Sequence, residues 1–177
     1  MEESEQLKTG KIGVIATDTI YGVVGSALNK DTVNKIYDIK RRAPSKPFII
    51  LISSIDDLAL FNIRPSESTL SKLNKYWPGP VSIILQCNDN NFEYLHRGTN
   101  TLAFRLPAKK ELQEILSISG PLVAPSANTE GETPAIDIDM AKQYFGNNVD
   151  FYVEGEINSK PSKIIRIIGD NEEVIRP

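Results

Sequence analysis

The sequence predicts a single α/β domain built on a mixed β-sheet with flanking helices. Apolar runs that are typical of strands alternate with helix-like patterns for most of the chain, an arrangement characteristic of α/β folds. A length of 177 residues suits one domain and is enough to bury a core without disulfides. No internal repeat or low-complexity linker divides the chain, so we expect one domain over residues 1–177.

Composition and charge describe an ordinary soluble protein. Its net charge of −3 argues against a protein whose main work is to coat nucleic acid. The single cysteine, Cys87, rules out an internal disulfide and fits a reducing compartment. No apolar stretch approaches the roughly 20 residues of a membrane span, and the polar start is unlike a signal peptide. We therefore expect a cytoplasmic protein without membrane contact, whose residues 1–10 are a polar extension or a short helix.

Apolar runs bounded by polar or turn residues predict the strands. Residues 48–52 form a continuous apolar run, as in a strand buried on both faces. Pro78, Gly79 and Pro80 predict a turn, and the Asn- and Asp-rich residues 87–100 predict a surface loop. The predicted strands are residues 12–16, 48–52, 81–85, 101–106, 122–124, 151–153, 163–168 and 173–176.

Helices are predicted between these strands. Asp31 can cap a helix whose apolar face carries Val33, Ile36 and Tyr37, since these recur at helical spacing. Pro44 is expected to stop that helix. Further helices are predicted over residues 56–61, from Ser66 to near Trp77, over residues 109–116 and over residues 137–145.

A dense cationic segment, Lys40, Arg41, Arg42 and Lys46, separates the first long helix from the strand at residues 48–52. Lysine and arginine at this density bind anions, and arginine adds a bidentate fork for phosphate oxygens. The same cations also suit a solvated helix C-terminus, where they complement the helix dipole. The position between a helix and a buried strand favours anion binding, because ligands commonly bind at strand ends in α/β sheets.

Short hydrogen-bonding side chains follow two of the predicted strands. Thr17, Thr19 and Tyr21 alternate along an extended segment, so their side chains are expected to share a face. Ser126 and Asn128 follow the strand at residues 122–124 in the same way. Hydroxyl and amide groups in a crevice suit a small polar ligand, although such residues are also common in ordinary turns.

Several catalytic motifs are absent from the sequence. The lone histidine, His96, lies in a polar segment, so a Ser–His or Cys–His pair would depend on it alone. No cluster has the spacing of zinc ligands, and Gly22-Val23-Val24-Gly25 lacks the lysine of a P-loop. We expect His96 and Cys87 to have structural roles and expect no metal site made by the protein.

Six motifs occur in the order and spacing of a known family. They are TDTIYG, IKRR with KP three residues later, WPGPVSIIL, T-x3-RLP, PSAN-x2-G, and the C-terminal PSKII with VIRP. With them the chain resembles the YrdC-like family, the threonylcarbamoyl-AMP synthases, from about Lys11 to Pro177. It corresponds to the short, single-domain form of that family.

The resemblance implies a twisted sheet around a large, positively charged concave cavity. It implies a nucleotidyltransferase that converts ATP, L-threonine and bicarbonate to threonylcarbamoyl-adenylate and pyrophosphate. A separate tRNA threonylcarbamoyl transferase complex would then receive the product, and weak contact with RNA is compatible with that role. Magnesium is expected to arrive on the ATP phosphates, which is its usual habit.

The resemblance also assigns roles to individual residues. Lys40 and Arg42 belong to the basic motif and are expected at the catalytic centre. L-threonine is expected to contact Thr19, Arg105 and Ser162. ATP is expected to contact Arg42, Lys46, Thr101, Ser126, Asn128 and Arg176.

Three positions depart from the family's pattern. Leu51 stands where longer members carry a histidine, so a threonine contact is lost or replaced. The family's Ser-Thr pair is Ser162-Lys163 here, and the proline of the basic motif is displaced to Pro44.

The expected chemistry needs no protein nucleophile, because a carbamate oxygen attacks the α-phosphorus and the protein positions the substrates and neutralises charge.

Two other functions remain open from the sequence. An RNA-binding module could use the same basic cavity, but overall acidity and the lack of an aromatic stacking array weigh against it. Its binding would weaken steeply as salt rises. A relative acting on carbamoyl phosphate, as in hydrogenase-maturation proteins, is also conceivable, but those are long chains with zinc-finger cysteines.

Overall fold

The computed structural model describes residues 2–177, and these form an α/β fold with one mixed sheet, as predicted. The α-helices are α1 (Glu2–Lys8), α2 (Lys30–Lys40), α3 (Glu67–Tyr76), α4 (Glu93–His96), α5 (Lys110–Ser119) and α6 (Ile138–Phe145). Short 3₁₀ helices cover Ile55–Phe61, Asn90–Phe92 and Gly146–Asn148. The strands are β1 (Gly13–Ala16), β2 (Tyr21–Ser26), β3 (Ile49–Leu51), β4 (Val81–Gln86), β5 (Thr101–Arg105), β6 (Leu122–Val123), β7 (Phe151–Val153), β8 (Lys163–Ile168) and β9 (Asn171–Arg176).

The strands of the described residues lie in the order β7-β1-β2-β6-β3-β5-β4-β8-β9. Three neighbouring pairs are parallel, namely β1 with β7, β3 with β5, and β4 with β8. The other neighbours are antiparallel, including the hairpins β1–β2 and β8–β9. The short β6 joins the two halves of the sheet, because it pairs with β2 on one side and β3 on the other.

Strands β1 and β3 are buried on both faces of the sheet, which explains their continuous apolar runs in the sequence. In β1, Val14 belongs to the larger core cluster and its neighbour Ile15 to the smaller one. In β3, Ile50 and Leu51 divide in the same way, because successive strand residues point to opposite faces. The smaller cluster includes Leu112 from α5, so α5 covers that face.

The start of the described chain is a helix rather than a loose polar extension. Helix α1 begins at Glu2 and carries Leu7, which is fully buried in the smaller core cluster. Leu7 therefore anchors this short polar segment, because its side chain packs with Leu112 and Leu116 of α5. Met1 lies outside the described residues.

Helix α2 has a different cap and end from those predicted. Asn29, not Asp31, is the N-cap, and its Oδ1 accepts hydrogen bonds from the backbone N–H groups of Asp31 and Thr32, both at 3.1 Å. The helix ends at Lys40, because Arg41 adopts a left-handed conformation with φ of 52°. Arg41 thus turns the chain before Pro44, and the cations after it lie in a turn.

Two other segments differ from the prediction. Residues 21–26 form β2, whose two glycines obscured its strand character in the sequence. A side chain at Gly25 would come within 2.5 Å of Thr32 Cγ2, so glycine here allows α2 to pack on β2. Residues 87–100 are not only a surface loop, because they contain α4, whose His96 is 2% exposed.

Candidate active site

A cavity of about 340 Å³ lies where the β1–β2 turn, the start of β3, the end of β5 and the segment after β6 converge. The segment before β8 and the end of β9 complete its wall. Its lining residues are Thr17, Thr19, Ile20, Gly22, Arg42, Pro47, Phe48, Ile49, Arg105, Ala124, Pro125, Ser126, Pro134, Pro161, Ser162, Ile164 and Arg176. Three arginines and several residues with hydroxyl groups therefore line one cavity.

The tight turn between β1 and β2 supplies two buried hydroxyls. Thr17 Oγ1 donates to the Ile20 carbonyl at 2.7 Å and accepts from the backbone N–H of Thr19 at 3.1 Å. The hydroxyls of Thr17 and Thr19 lie 3.0 Å apart. Tyr21 does not share their role as predicted, because its hydroxyl bonds to the backbone of Gly155 and it lies outside the cavity lining.

Arg105 ends β5 and forms a buried ion pair with Asp18. Its Nη2 lies 3.0 Å from Asp18 Oδ1, and the side chains of the two residues are 5% and 8% exposed, respectively. The same nitrogen donates to Thr17 Oγ1 at 3.4 Å. Burial lowers the pKa of Arg105, and the Asp18 carboxylate opposes that shift. The pair fixes one edge of the guanidinium at the cavity wall.

Arg176, at the end of β9, holds the segment that precedes β8. Its Nη2 donates to the Ser162 carbonyl at 2.6 Å and to Ser162 Oγ at 3.3 Å. Ser162 Oγ also lies 2.8 Å from the hydroxyl of Ser82 in β4. Burial lowers the pKa of Arg176. Lys163, which departs from the family's pattern, begins β8 and is not part of the cavity lining.

Arg42 is supported by a stack of side chains that begins with Phe48 in the cavity lining. Its guanidinium carbon lies 5.5 Å from the centre of the Phe48 ring, and its Nε donates to the Lys46 carbonyl at 3.2 Å. Phe48 stacks on Tyr37 with ring centres 4.0 Å apart, and Arg97 covers the Tyr37 ring at 4.0 Å. These contacts limit where the Arg42 guanidinium can lie and leave it facing the cavity.

Lys40 is buried behind the cavity wall rather than exposed in it. The residue is 2% exposed, and its ammonium donates to the carbonyls of Ser126 and Asn128, the latter at 2.6 Å. Burial, and to a smaller extent the charge of nearby Arg42, lowers the pKa of Lys40 to about 7, while Glu130 opposes the shift. Lys40 thus holds the turn that presents Ser126 to the cavity.

The segment after β6 is fixed to the β1–β2 hairpin. Ser126 bridges to Gly22, and the backbone N–H of Ala127 donates to the Tyr21 carbonyl at 2.8 Å. The hydroxyl of Ser126 donates to Asn128 Oδ1 at 2.6 Å. Asn128 therefore lies beside the cavity and orients a lining residue.

A second groove of about 550 Å³ continues along the sheet from the cavity. It shares Pro47, Ile49 and Ile164 with the cavity lining and includes Thr101, whose hydroxyl bonds to Thr99 Oγ1 at 3.2 Å. Apolar side chains from β3, β4, β5 and β8 form much of its wall. The groove could hold a flat, apolar part of a ligand whose charged part occupies the cavity.

The structure brings together only some of the residues expected at the site. The cavity lining contains Thr19, Arg42, Arg105, Ser126, Ser162 and Arg176. The other expected residues lie around it: Lys40 behind the wall, Asn128 beside it, Thr101 in the groove and Lys46 in a surface ion pair with Glu130. Sequence reasoning gave no role to Asp18, Ser82 or Glu130. Asp18, a carboxylate between two threonines at a strand end, was the only one with a visible signal.

The remaining candidate residues have structural contacts. His96 accepts a hydrogen bond from the backbone N–H of Gly98 at 3.1 Å, and the Cys87 thiol points to the Phe61 carbonyl at 3.8 Å. Leu51, the position where longer members are expected to carry a histidine, is fully buried in the smaller core cluster and contributes to packing. Among residues 2–177, no three His, Cys, Asp or Glu side chains cluster as metal ligands would. Within the same range, no helix has the length and apolar character needed to cross a membrane.

Comparison with known proteins identifies the family. The Sua5/YciO/YrdC family model, described as "Telomere recombination", matches residues 5–177. A threonylcarbamoyl-AMP synthase from Marinobacter nauticus is 30% identical over 162 residues, which cover 88% of this chain and 85% of that protein. A protein of the same name from Pyrococcus abyssi is 29% identical over 142 residues, which are 79% of this chain.

A solved structure, P. abyssi Sua5 complexed with L-threonine, has a TM-score of 0.91 at 25% identity and matches 99% of this chain. The present chain spans 53% of that solved chain and 42% of the curated P. abyssi relative. The similarity therefore covers the α/β domain described above.

Proposed function

The chain belongs to the Sua5/YciO/YrdC family, and from this we propose that it is a threonylcarbamoyl-AMP synthase. The proposed reaction converts ATP, L-threonine and bicarbonate to threonylcarbamoyl-adenylate and pyrophosphate, which makes the protein a nucleotidyltransferase. The observation that carries the proposal is the convergence of Arg42, Arg105 and Arg176 on one cavity that also holds buried hydroxyls. Such a site suits two anionic substrates held side by side.

L-threonine is assigned to the Arg105 side of the cavity. Asp18 and Thr17 contact only one nitrogen of the Arg105 guanidinium, so other N–H groups remain to meet a carboxylate. The hydroxyl of Thr19 lies on the same wall, close to that of Thr17. Ser162 closes the other side and is held by Arg176. Together these groups can bind the carboxylate and the polar atoms of an amino acid.

ATP is assigned to the Arg42 side of the cavity and to the adjoining groove. Arg42 and Arg176 can neutralise phosphate oxygens, while Ser126 offers a hydroxyl oriented by Asn128. Lys46 lies beside Arg42, whose Nε donates to the Lys46 carbonyl, and the groove with Thr101 can take the nucleoside. Magnesium is proposed to enter as part of the MgATP substrate, coordinated by the phosphates.

The proposed chemistry proceeds in two steps. The unprotonated amine of threonine and bicarbonate form a carbamate and release water. A carbamate oxygen then attacks the α-phosphorus, the bond from that phosphorus to the bridging oxygen breaks, and pyrophosphate leaves with the bond's electron pair. The protein's part is positioning of the two substrates and stabilisation of charge on the phosphates, for which fixed arginines are suited.

The product would be consumed elsewhere. We propose that a tRNA threonylcarbamoyl transferase complex receives the adenylate and that the reaction takes place in the cytoplasm. An RNA-binding module remains the alternative function, and the proposed assay addresses it. Among residues 2–177, the aromatic rings near the basic segment, Tyr37 and Phe48, stack on each other, an arrangement that does not favour base stacking.

The test is pyrophosphate release by the purified protein with MgATP, with L-threonine and bicarbonate each present or omitted. Release that requires both substrates supports the proposal. Release with carbamoyl phosphate in place of bicarbonate would instead favour a carbamoyl-transfer relative. If no condition gives release, the synthase assignment fails, and an RNA titration at several salt concentrations tests the binding-module alternative.

A further inference from the structure

Glu130 occupies the place of an anion at the cationic rim of the cavity. Its Oε1 forms a close ion pair with the Lys46 ammonium, and its Oε2 accepts from the backbone N–H of Ala43 at 3.3 Å. The Glu130 backbone N–H donates to the Lys40 carbonyl at 2.9 Å. The hydrogen bond from Lys46 lowers the pKa of Glu130, so this carboxylate is ionised at neutral pH.

The groups around this carboxylate are those that bind a phosphate. An ammonium, a backbone N–H at a turn and a neighbouring guanidinium together form a common arrangement for a phosphate oxygen. Arg42 lies two residues after the end of α2, and its charge also lowers the pKa of Glu130. The carboxylate of Glu130 thus supplies a negative charge to the cationic segment Arg41–Pro47.

The contact is weak enough to be replaced. The Lys46 and Glu130 side chains are 55% and 29% exposed, and an ion pair between exposed side chains contributes little to stability because water screens it. A polyphosphate carries more charge than one carboxylate and can contact Arg42 at the same time. Displacement of the Glu130 carboxylate by a phosphate group therefore costs little free energy, and the phosphate neutralises more of the positive charge.

We propose that the Glu130 carboxylate competes with the polyphosphate of ATP for the Lys46 ammonium and the Ala43 N–H. When ATP binds, its polyphosphate displaces the Glu130 carboxylate from these two groups. This inference rests on the proposed function and assigns a specificity role to a residue outside the cavity lining. Because AMP lacks the β- and γ-phosphates, Glu130 should compete with ATP and not with AMP. Glu130 thereby sets how strongly the site holds ATP relative to its monophosphate.

The experiment measures equilibrium binding of ATP and of AMP, with magnesium and without threonine, to wild type and Glu130→Gln. The amide keeps the size of the side chain and removes its charge. ATP is expected to bind about two- to fivefold more tightly to Glu130→Gln, while AMP binding is unchanged. Glu132→Gln is the matched control, because Glu132 is an exposed acid in the same loop, and it should bind both nucleotides as wild type does.

A second pair of variants tests the route of the effect. In a Lys46→Ala background, Glu130→Gln should no longer tighten ATP binding, because the ammonium for which Glu130 and ATP compete is absent. Unchanged or weaker ATP binding by Glu130→Gln would overturn the inference, as would equal tightening of AMP or equal tightening by Glu132→Gln. If wild type binds ATP but Glu130→Gln binds it no more tightly, the inference fails and the proposed function stands. If no variant binds ATP, the proposed function fails with it.

Discussion

The guanidinium of Arg105 and the carboxylate of Asp18 form an ion pair of 3.0 Å that is almost completely excluded from solvent. Neither Asp18 oxygen has a well-aligned hydrogen-bond partner among residues 2–177, so the contact is chiefly electrostatic. Asp18 belongs to the turn after β1 and Arg105 ends β5, so the pair links two distant parts of the sheet. Its two members therefore depend on each other for both stability and position.

Asp18→Asn is expected to destabilise the protein, because Arg105 would remain buried without a counter-charge. Loss of one partner of a buried pair typically lowers the free energy of unfolding by about 3–5 kcal/mol. Urea unfolding of wild type and variant measures the change. Asp139→Asn is the control, since Asp139 is 85% exposed and pairs with Lys142 at the surface, and it should unfold like wild type. Equal stability of Asp18→Asn and wild type would contradict the electrostatic role of the pair.

Arg105→Ala is expected to raise the KM for L-threonine by about 10- to 100-fold, the range for loss of a hydrogen bond to a charged group. The KM for ATP should change little, because Arg42 and Arg176 remain. Pyrophosphate release over a range of each substrate measures both values, at a temperature where unfolding curves show the variant to be folded. If only the KM for ATP rises, Arg105 belongs to the nucleotide side and the assignment is wrong.

Local patterns were enough to predict most strands and helices, because apolar runs and capping residues act within a few positions. They did not reveal β2, whose glycines weaken its strand signal, nor the insertion of β6 between β2 and β3. That order depends on pairings between segments far apart in the chain, which local propensity does not encode.

The candidate site shows the same contrast between features that short local motifs predict and features that depend on distant segments. Motif resemblance predicted six residues of the cavity lining, because those side chains are carried by short, recognisable segments. Glu130 was missed because its partner Lys46 is 84 residues away and an acid in a polar loop has no distinguishing local signal. Lys40 was expected at the catalytic centre, but the packing of α2 against the segment after β6 places it behind the wall.

Arg42→Ala is expected to reduce pyrophosphate release by about 100-fold or more, as when one preorganised charge-stabilising group is removed. The side chain lines a cavity and is not part of the main core, so the unfolding curve should stay close to that of wild type. Arg64→Ala is a matched control, because Arg64 is exposed and outside the cavity lining. Wild-type turnover by Arg42→Ala would remove Arg42 from the site.

Lys40→Met tests whether the buried lysine supports the site through the Ser126–Asn128 turn. Methionine keeps a similar length but leaves the carbonyls of Ser126 and Asn128 without their donor, a loss that commonly costs about 1–3 kcal/mol. Pyrophosphate release should fall because the hydroxyl of Ser126 is no longer held in place. Lys35→Met, at an exposed position of the same helix, is the control and should keep wild-type turnover.

The pH dependence of stability separates Lys40 from other lysines. Burial lowers its pKa in the folded protein to about 7 from the ordinary value of 10.5. Between these values the unfolded chain binds more protons than the folded one, so the free energy of unfolding rises with pH. Relative to Lys40→Met, wild type should gain stability from about pH 7 upward, by at most about 1.4 kcal/mol per pH unit. Below pH 7 both states are protonated and the difference should level off. Urea unfolding from pH 6 to 9 measures it, and a difference that stays flat across that range would mean that Lys40 keeps an ordinary pKa in the folded protein.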